Sequence, residues 1–419
     1  MPKIFGDIKN DYKQVPLGVK LIIFVIFLRT MGWGFADPFF SIYLYQFKND
    51  YTVIGLFSGL LSLSALISII PLLRLGDKMK EKIIISDGQL LYLFVIAGYV
   101  ISGIFKNIPL LILTLLFNGI AQTFVVVGTE MYIEKYGAPG KARPFALYIA
   151  MDYLGWTLGM LIAAFTVRYY GLNYMFLFIL PSIVSSFFIL PRVSEKGIRS
   201  LFAGFRHYFH SSKDVLRVIR DFKDLNSKML FFLVIAFFDG VVYMFSYIFI
   251  PLLGLSVNMS LSSVAILMAV MYFPFVLSFF FTEAFEKSSK MDIISIGLFI
   301  GAVSFTLLYF IVDKYGILIL AATISLSMAI VRPLYSGAIT RLSRPSMVGE
   351  MTGINSLVQR IGRVLGPVLT GVVADHYGLP TSFLMIAVIA FGLGSIALIL
   401  RGYDYFISPN YLPNPQTQN

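Results

Sequence analysis

Apolar residues in this chain come in long uninterrupted runs, separated by short polar segments that carry most of the charge. Runs of about 20 apolar residues are long enough to cross a bilayer as helices. Twelve occur, at roughly 20–46, 52–73, 83–105, 109–131, 144–167 and 171–190, then 229–254, 260–282, 292–312, 317–340, 352–375 and 380–400. The sixth is interrupted by Pro181. The pattern predicts an all-α integral membrane protein with twelve spans.

Composition agrees. Of 419 residues, 58% are hydrophobic and only 13% charged, and mean hydropathy is +0.83. A chain this apolar needs lipid as solvent. Cysteine is absent, which excludes disulfides and thiolate metal sites. The first apolar run is too long for a cleavable signal peptide. The net charge of +11 raises the question of nucleic acid, and the distribution of charge answers it. With the N-terminus inside, 25 Lys and Arg fall on inner segments and four on outer loops (Lys48, Lys106, Arg168 and Lys314). That asymmetry predicts cytoplasmic termini in the plasma membrane and no nucleic-acid partner.

One connection is long. Residues 191–228 are expected to be a cytoplasmic linker, with "SSKDVLRVIRDF" as a basic amphipathic helix on the membrane surface. It would join an N-terminal six-helix bundle, 1–190, to a C-terminal one, 229–402, and 403–419 would be a disordered tail. The halves echo each other. Gly155–Phe176 and Gly362–Phe383 align without gaps at a shift of 207, with seven of 22 positions identical. Asp77–Ser86 echoes Glu286–Ser295 at a shift of 209. Parallel repeats of this kind mark secondary transporters, with the substrate site between the halves at mid-membrane.

Three stretches carry a family resemblance. "GDKMKEK" (Gly76, Asp77, Lys78, Lys80, Lys82) resembles the loop 2–3 motif of the major facilitator superfamily. "GRVLGPVLTG" (Gly362, Gly366, Pro367, Gly371) resembles its glycine-proline helix pattern, here better kept in span 11 than in span 5, where Met160 replaces the proline. "FNGIAQTF" is similar to a helix-4 motif of drug exporters, with Leu115 where an arginine is expected. The resemblance implies two pseudo-symmetric six-helix bundles. It also implies a central cavity lined by spans 1, 4, 7 and 10, and a gate at loop 2–3 with its counterpart Glu286 and Lys287. Gly155, Gly159, Gly362, Gly366 and Gly371 read as helix-packing positions, with Pro367 as a bend.

Charge inside spans is costly and marks function. Measured from the cytoplasmic end, Arg29 lies about 14 Å deep, near the centre. Asp152, Asp239, Arg332, Arg360 and Arg363 sit at similar depth. Asp37, followed by Pro38, lies about 25 Å in and reads as an outer gate. A shift of 210 sets Arg29 opposite Asp239, so a contact between them across the cavity is expected. Asp152 shares a face with Gly155 and Gly159, which favours a helix interface. The expected cavity set is Arg29, Trp33, Asn118, Gln122, Asp239, Tyr243, Ser325, Arg332, Arg360 and Arg363. Asp239, Asp152 and Asp37, in that order, are the candidates to carry a proton.

An intramembrane enzyme is disfavoured: HExxH and GxGD motifs are missing, and His207, His210 and His376 are not deep in spans. A channel has no need of repeated halves. The sequence therefore predicts a monomeric, cofactor-free carrier of a small organic molecule working by alternating access. Proton-coupled export is the leading mode, and exchange or uptake of an organic anion through the midplane arginines is the alternative.

Overall fold

The computed structural model describes residues 15–76, 80–137, 143–193, 227–285, 290–310, 313–343 and 348–407. Twelve helical crossings follow in chain order. In the first half they are α1 Leu17–Tyr45, α2 Tyr51–Gly76, α3 Glu81–Phe105, α4 Ile108–Tyr136, α5 Arg143–Thr166 and α6 Leu172–Arg192. In the second half they are α7 Ser227–Ser256, α8 Leu261–Phe285, α9 Lys290–Phe310, α10 Lys314–Leu342, α11 Val348–Tyr377 and α12 Leu379–Ile407. The face that receives the start of α1 and the end of α12 is called the terminal face here, and the opposite one the distal face.

Two crossings are not continuous α-helices, and each carries a proline near its break. In α1 the helix stops after Trp33. The amides of Phe35 and Ala36 reach back three residues, to the carbonyls of Gly32 and Trp33 (3.2 and 2.9 Å). A 3-10 turn, Asp37–Phe39, contains Pro38, which has no N–H to continue the ladder. The chain then resumes as Phe40–Tyr45. In α6 a 3-10 stretch, Leu172–Ile179, runs into an α-helix, Leu180–Ile189. Pro181 falls in the first turn of that helix, where a missing N–H is harmless. The sixth crossing is thus complete despite its proline.

Within each half the same pair of helices packs closely: α1 on α5, and α7 on α11. Glycine makes this possible. A side chain at Gly155 or Gly159 would collide with the Phe27 or Met31 carbonyl of α1, and one at Gly362 with the Phe237 carbonyl of α7. Gly366 sits against the backbone of Val241. Between the halves, α2 packs on α11 and α5 on α8, again equivalent pairs under the repeat. Gly371 faces the backbone of Tyr51, and the Pro367 carbonyl abuts Gly55.

Two expectations about the chain's edges meet the structure differently. The expected tail was to begin at residue 403, but α12 continues to Ile407, because no helix-breaking residue follows Gly402 until Pro409. The amphipathic linker helix, and Asp77, Lys78, Glu286 and Lys287 of the gate pair, lie outside the described residues.

Candidate functional site

A cavity of about 120 Å³ lies between the halves. α1 contributes Arg29, Trp33, Asp37 and Phe40; α4 contributes Asn118 and Gln122. Trp156 comes from α5, Tyr243 and Tyr247 from α7, and Arg360 and Arg363 from α11. Seven of the ten expected cavity residues meet here: Arg29, Trp33, Asn118, Gln122, Tyr243, Arg360 and Arg363.

The other three do not. Asp239, Ser325 and Arg332 line a second, smaller space of about 20 Å³ inside the C-terminal half. There Arg332 grips Asp239 with both prongs: Nε donates to Oδ2 at 2.9 Å and Nη2 to Oδ1 at 3.0 Å. Tyr335 donates its hydroxyl to Oδ2 at 2.7 Å, and Gln359 donates to that hydroxyl in turn. The remaining Arg332 nitrogen, Nη1, donates to Tyr153 across the interface between the halves (2.7 Å). The guanidinium lies over the Phe275 ring at 4.9 Å. A buried carboxylate and a planar cation satisfied this fully form a fixed clamp.

The expected contact of Arg29 with Asp239 is therefore replaced by two contacts, each within one half. Arg29 turns to α5 and α3. Its Nη2 is 3.5 Å from Asp152 Oδ1, and its Nη1 donates to the Tyr92 hydroxyl at 3.3 Å. Its Nε has no hydrogen-bond partner. Asp152 lies at the α1–α5 interface, as its glycine neighbours suggested. The repeat placed Arg29 and Asp239 at one depth, but helix azimuth aims each at a helix of its own half.

Eight residues further along α1, the same shift of 210 does produce a contact. Tyr247 of α7 donates its hydroxyl to Asp37 Oδ1 at 2.8 Å, joining the halves. Asp37 is buried (4% exposed), so it is not the water-facing residue of an outer mouth. The break at Pro38 tucks it inward, beneath Phe40, whose ring stacks on Tyr247 at 6.0 Å. Its Oδ2 accepts nothing.

Above Asp37 the distal face is closed between α2 and α11. Asp375 accepts the backbone N–H groups of Tyr51 (2.9 Å) and Thr52 (2.6 Å), the first amides of α2. A carboxylate from one half thus caps a helix of the other. Sequence reading did not single it out, although the repeat holds a signal: the 207 shift aligns Asp375 with Arg168, so only the second half has an acid there. Glu130 of α4 also escaped notice. It is exposed, yet it lies within electrostatic reach of Arg360 and Arg363.

Arg360 and Arg363 make no ion pair with any carboxylate among the described residues. Arg363 stands 4.5 Å over the Tyr243 ring, and its Nε has no hydrogen-bond partner. Elsewhere, Lys82 of the gate motif donates to the Val193 carbonyl at the end of α6, inside its own half (3.1 Å). Lys80 immediately precedes α3, and Gly76 ends α2.

The model of the Major Facilitator Superfamily matches residues 22–285 and 231–417. An uncharacterized MFS-type transporter, YxaM, of Bacillus subtilis (strain 168), is 22% identical over 380 residues, covering 86% of this chain and 90% of that protein. Crystal structures of the nucleoside transporter NupG share the fold. A point mutant superposes with a TM-score of 0.73 at 14% identity, over 92% of this chain and 100% of that one. The unmutated protein gives 0.70 at 14% identity, over 93% and 100%.

Proposed function

The chain belongs to the Major Facilitator Superfamily, and from that premise we propose a secondary carrier of a small organic anion that works by alternating access. Membership makes it a multi-pass membrane transporter and not an enzyme. The anion, the plasma membrane and a cytoplasmic terminal face are our reading, the last supported by the distribution of Lys and Arg.

One observation carries the substrate class. Arg360 and Arg363 line the central cavity without a carboxylate bonded to either, among the described residues. Two guanidiniums three residues apart on one helix share a face. With no carboxylate bonded to them among the described residues, they suit a carboxylate or phosphate group entering from water. The rings of Trp33, Trp156 and Tyr243 and the amides of Asn118 and Gln122 suit a partly apolar, partly polar body. The bonds that cap α2 and join Asp37 to Tyr247 support a distal-closed stage of the cycle, in which the cavity fills from the terminal face.

Proton-coupled export, the leading expectation from sequence, gains less support. Both oxygens of Asp239, its first candidate, are engaged by Arg332. The likeness to a nucleoside transporter at 14% identity speaks to fold, so nucleosides enter as a control. The test is thermal stabilisation of the purified chain by aromatic carboxylates, phosphate esters and nucleosides. Stabilisation by an anion, lost in Arg360→Gln/Arg363→Gln, is expected. Stabilisation by nucleosides alone, unchanged in that variant, would overturn the reading.

A further inference from the structure

The central cavity is dipolar. At its distal end Asp37 is buried with one oxygen, Oδ2, unpartnered. The other oxygen takes the Tyr247 hydroxyl. The charge within electrostatic reach is Arg29, which already faces Asp152 and makes no ion pair with Asp37. Counted with both carboxyls ionised, Arg29, Asp152 and Asp37 would leave one negative charge uncompensated. Further along the cavity, Arg360 and Arg363 supply two positive charges, with Glu130 within reach of both. The two ends are tied to one helix. Arg363 lies over Tyr243, and Asp37 is bonded to Tyr247. Those tyrosines sit one turn apart on α7, about 6 Å along the helix axis.

The walls around Asp37 narrow the chemistry. Trp33, Phe40 and Tyr247 line the cavity beside it. A neutral hydroxyl could donate to Oδ2 but would leave the buried charge uncompensated, whereas an ammonium group supplies both hydrogen bonds and charge. An ammonium is also drawn to aromatic faces. An acid among aromatic rings is therefore a site for a protonated amine.

We propose that the substrate is a zwitterion, its anionic group held by Arg360 and Arg363 and its ammonium group by the free oxygen of Asp37. The proposal rests on the anion reading above and extends it to the other end of the molecule.

Binding to the purified full-length chain tests it, by calorimetry with para-(aminomethyl)benzoate and ε-aminocaproate. The singly charged counterparts are para-toluate and caproate, without the amine, and benzylamine and hexylamine, without the carboxylate. At least one zwitterion is expected to bind on the order of tenfold or more tighter than either of its counterparts, the range of a charged hydrogen bond. Asp37→Asn is expected to reduce that zwitterion to the affinity of its anion while leaving the anion unchanged. Arg360→Gln/Arg363→Gln is expected to weaken zwitterion and anion alike and to spare the amine. Equal binding of anion and zwitterion by the unmutated chain overturns the proposal with no variant needed, while Arg-dependent anion binding would keep the anion reading. Amine binding without anion binding sinks that reading too, and binding of none of the probes overturns the zwitterion.

Discussion

The two halves descend from one pattern, yet they treat their buried arginines in opposite ways. In the C-terminal half Arg332 binds Asp239 through two bonds near 3 Å, and Tyr335 and Tyr153 complete the cluster. In the N-terminal half Arg29 reaches Asp152 through a single 3.5 Å contact, with Nε left free. The first pair lies beside a 20 Å³ space, and Arg29 lines the main cavity. One half spends its charge on rigidity and the other keeps it available. A carrier that rocks around a central site needs both: bodies that move as units, and groups that can exchange partners.

The strongest way to break this comparison is to remove one member of the clamp. Asp239→Ala leaves the half-buried Arg332 guanidinium without its counter-ion and is expected to cost about 3 kcal/mol. The readout is the midpoint of heat-induced aggregation in detergent. Replacing both, Asp239→Leu with Arg332→Met, is expected to recover most of that loss. A recovery confined to stability, with transport still absent, would show that the clamp also serves the cycle.

A middle-sized effect is expected at the distal face. Asp375→Ala removes the acceptor of the Tyr51 and Thr52 amides and leaves Asp50 accepting from Val53, a change worth about 1 kcal/mol. Because the bonds join the two halves, their loss is expected to favour opening of the distal face, by about tenfold for 1.4 kcal/mol. The chain contains no cysteine, so Met244→Cys gives a single reporter in the cavity. Labelling of it by an impermeant maleimide applied at the distal face is expected to rise in the Asp375→Ala background. No change would remove Asp375 from the gate.

The smallest expected effect sharpens the contrast from the other side. Asp152→Asn keeps the shape of the side chain but leaves the buried Arg29 without an ionised partner, at the loss of one long contact. Its effect on the melting midpoint is expected to be smaller than that of Asp239→Ala, which loses two short bonds from Arg332. A loss equal to that of Asp239→Ala would erase the distinction between clamp and loose pair.

Much of the fold could be read from the chain, because its causes are local. Apolar run length set the twelve crossings, Pro38 set the break in α1, and the glycines at shift 207 marked α5 and α11 as the closely packed helices. Site membership was legible in part, because depth along a helix follows from residue count. Pairing was not. The repeat led to Arg29 opposite Asp239, yet the contact at that spacing is Asp37 with Tyr247. Near a pseudo-twofold axis, equivalent residues meet only where both helices turn them toward the axis, and that angle is set by packing.

The sequence by itself determined which segments cross the membrane, how the halves correspond and how deep each charge lies, since all three depend on order along one dimension. Only the tertiary structure decided which charge faces which. It enclosed Asp239 in a clamp, set Arg360 and Arg363 on the cavity without an ion pair among the described residues and carried Asp375 across to the start of α2, because those outcomes depend on the lateral and rotational placement of helices far apart in the chain.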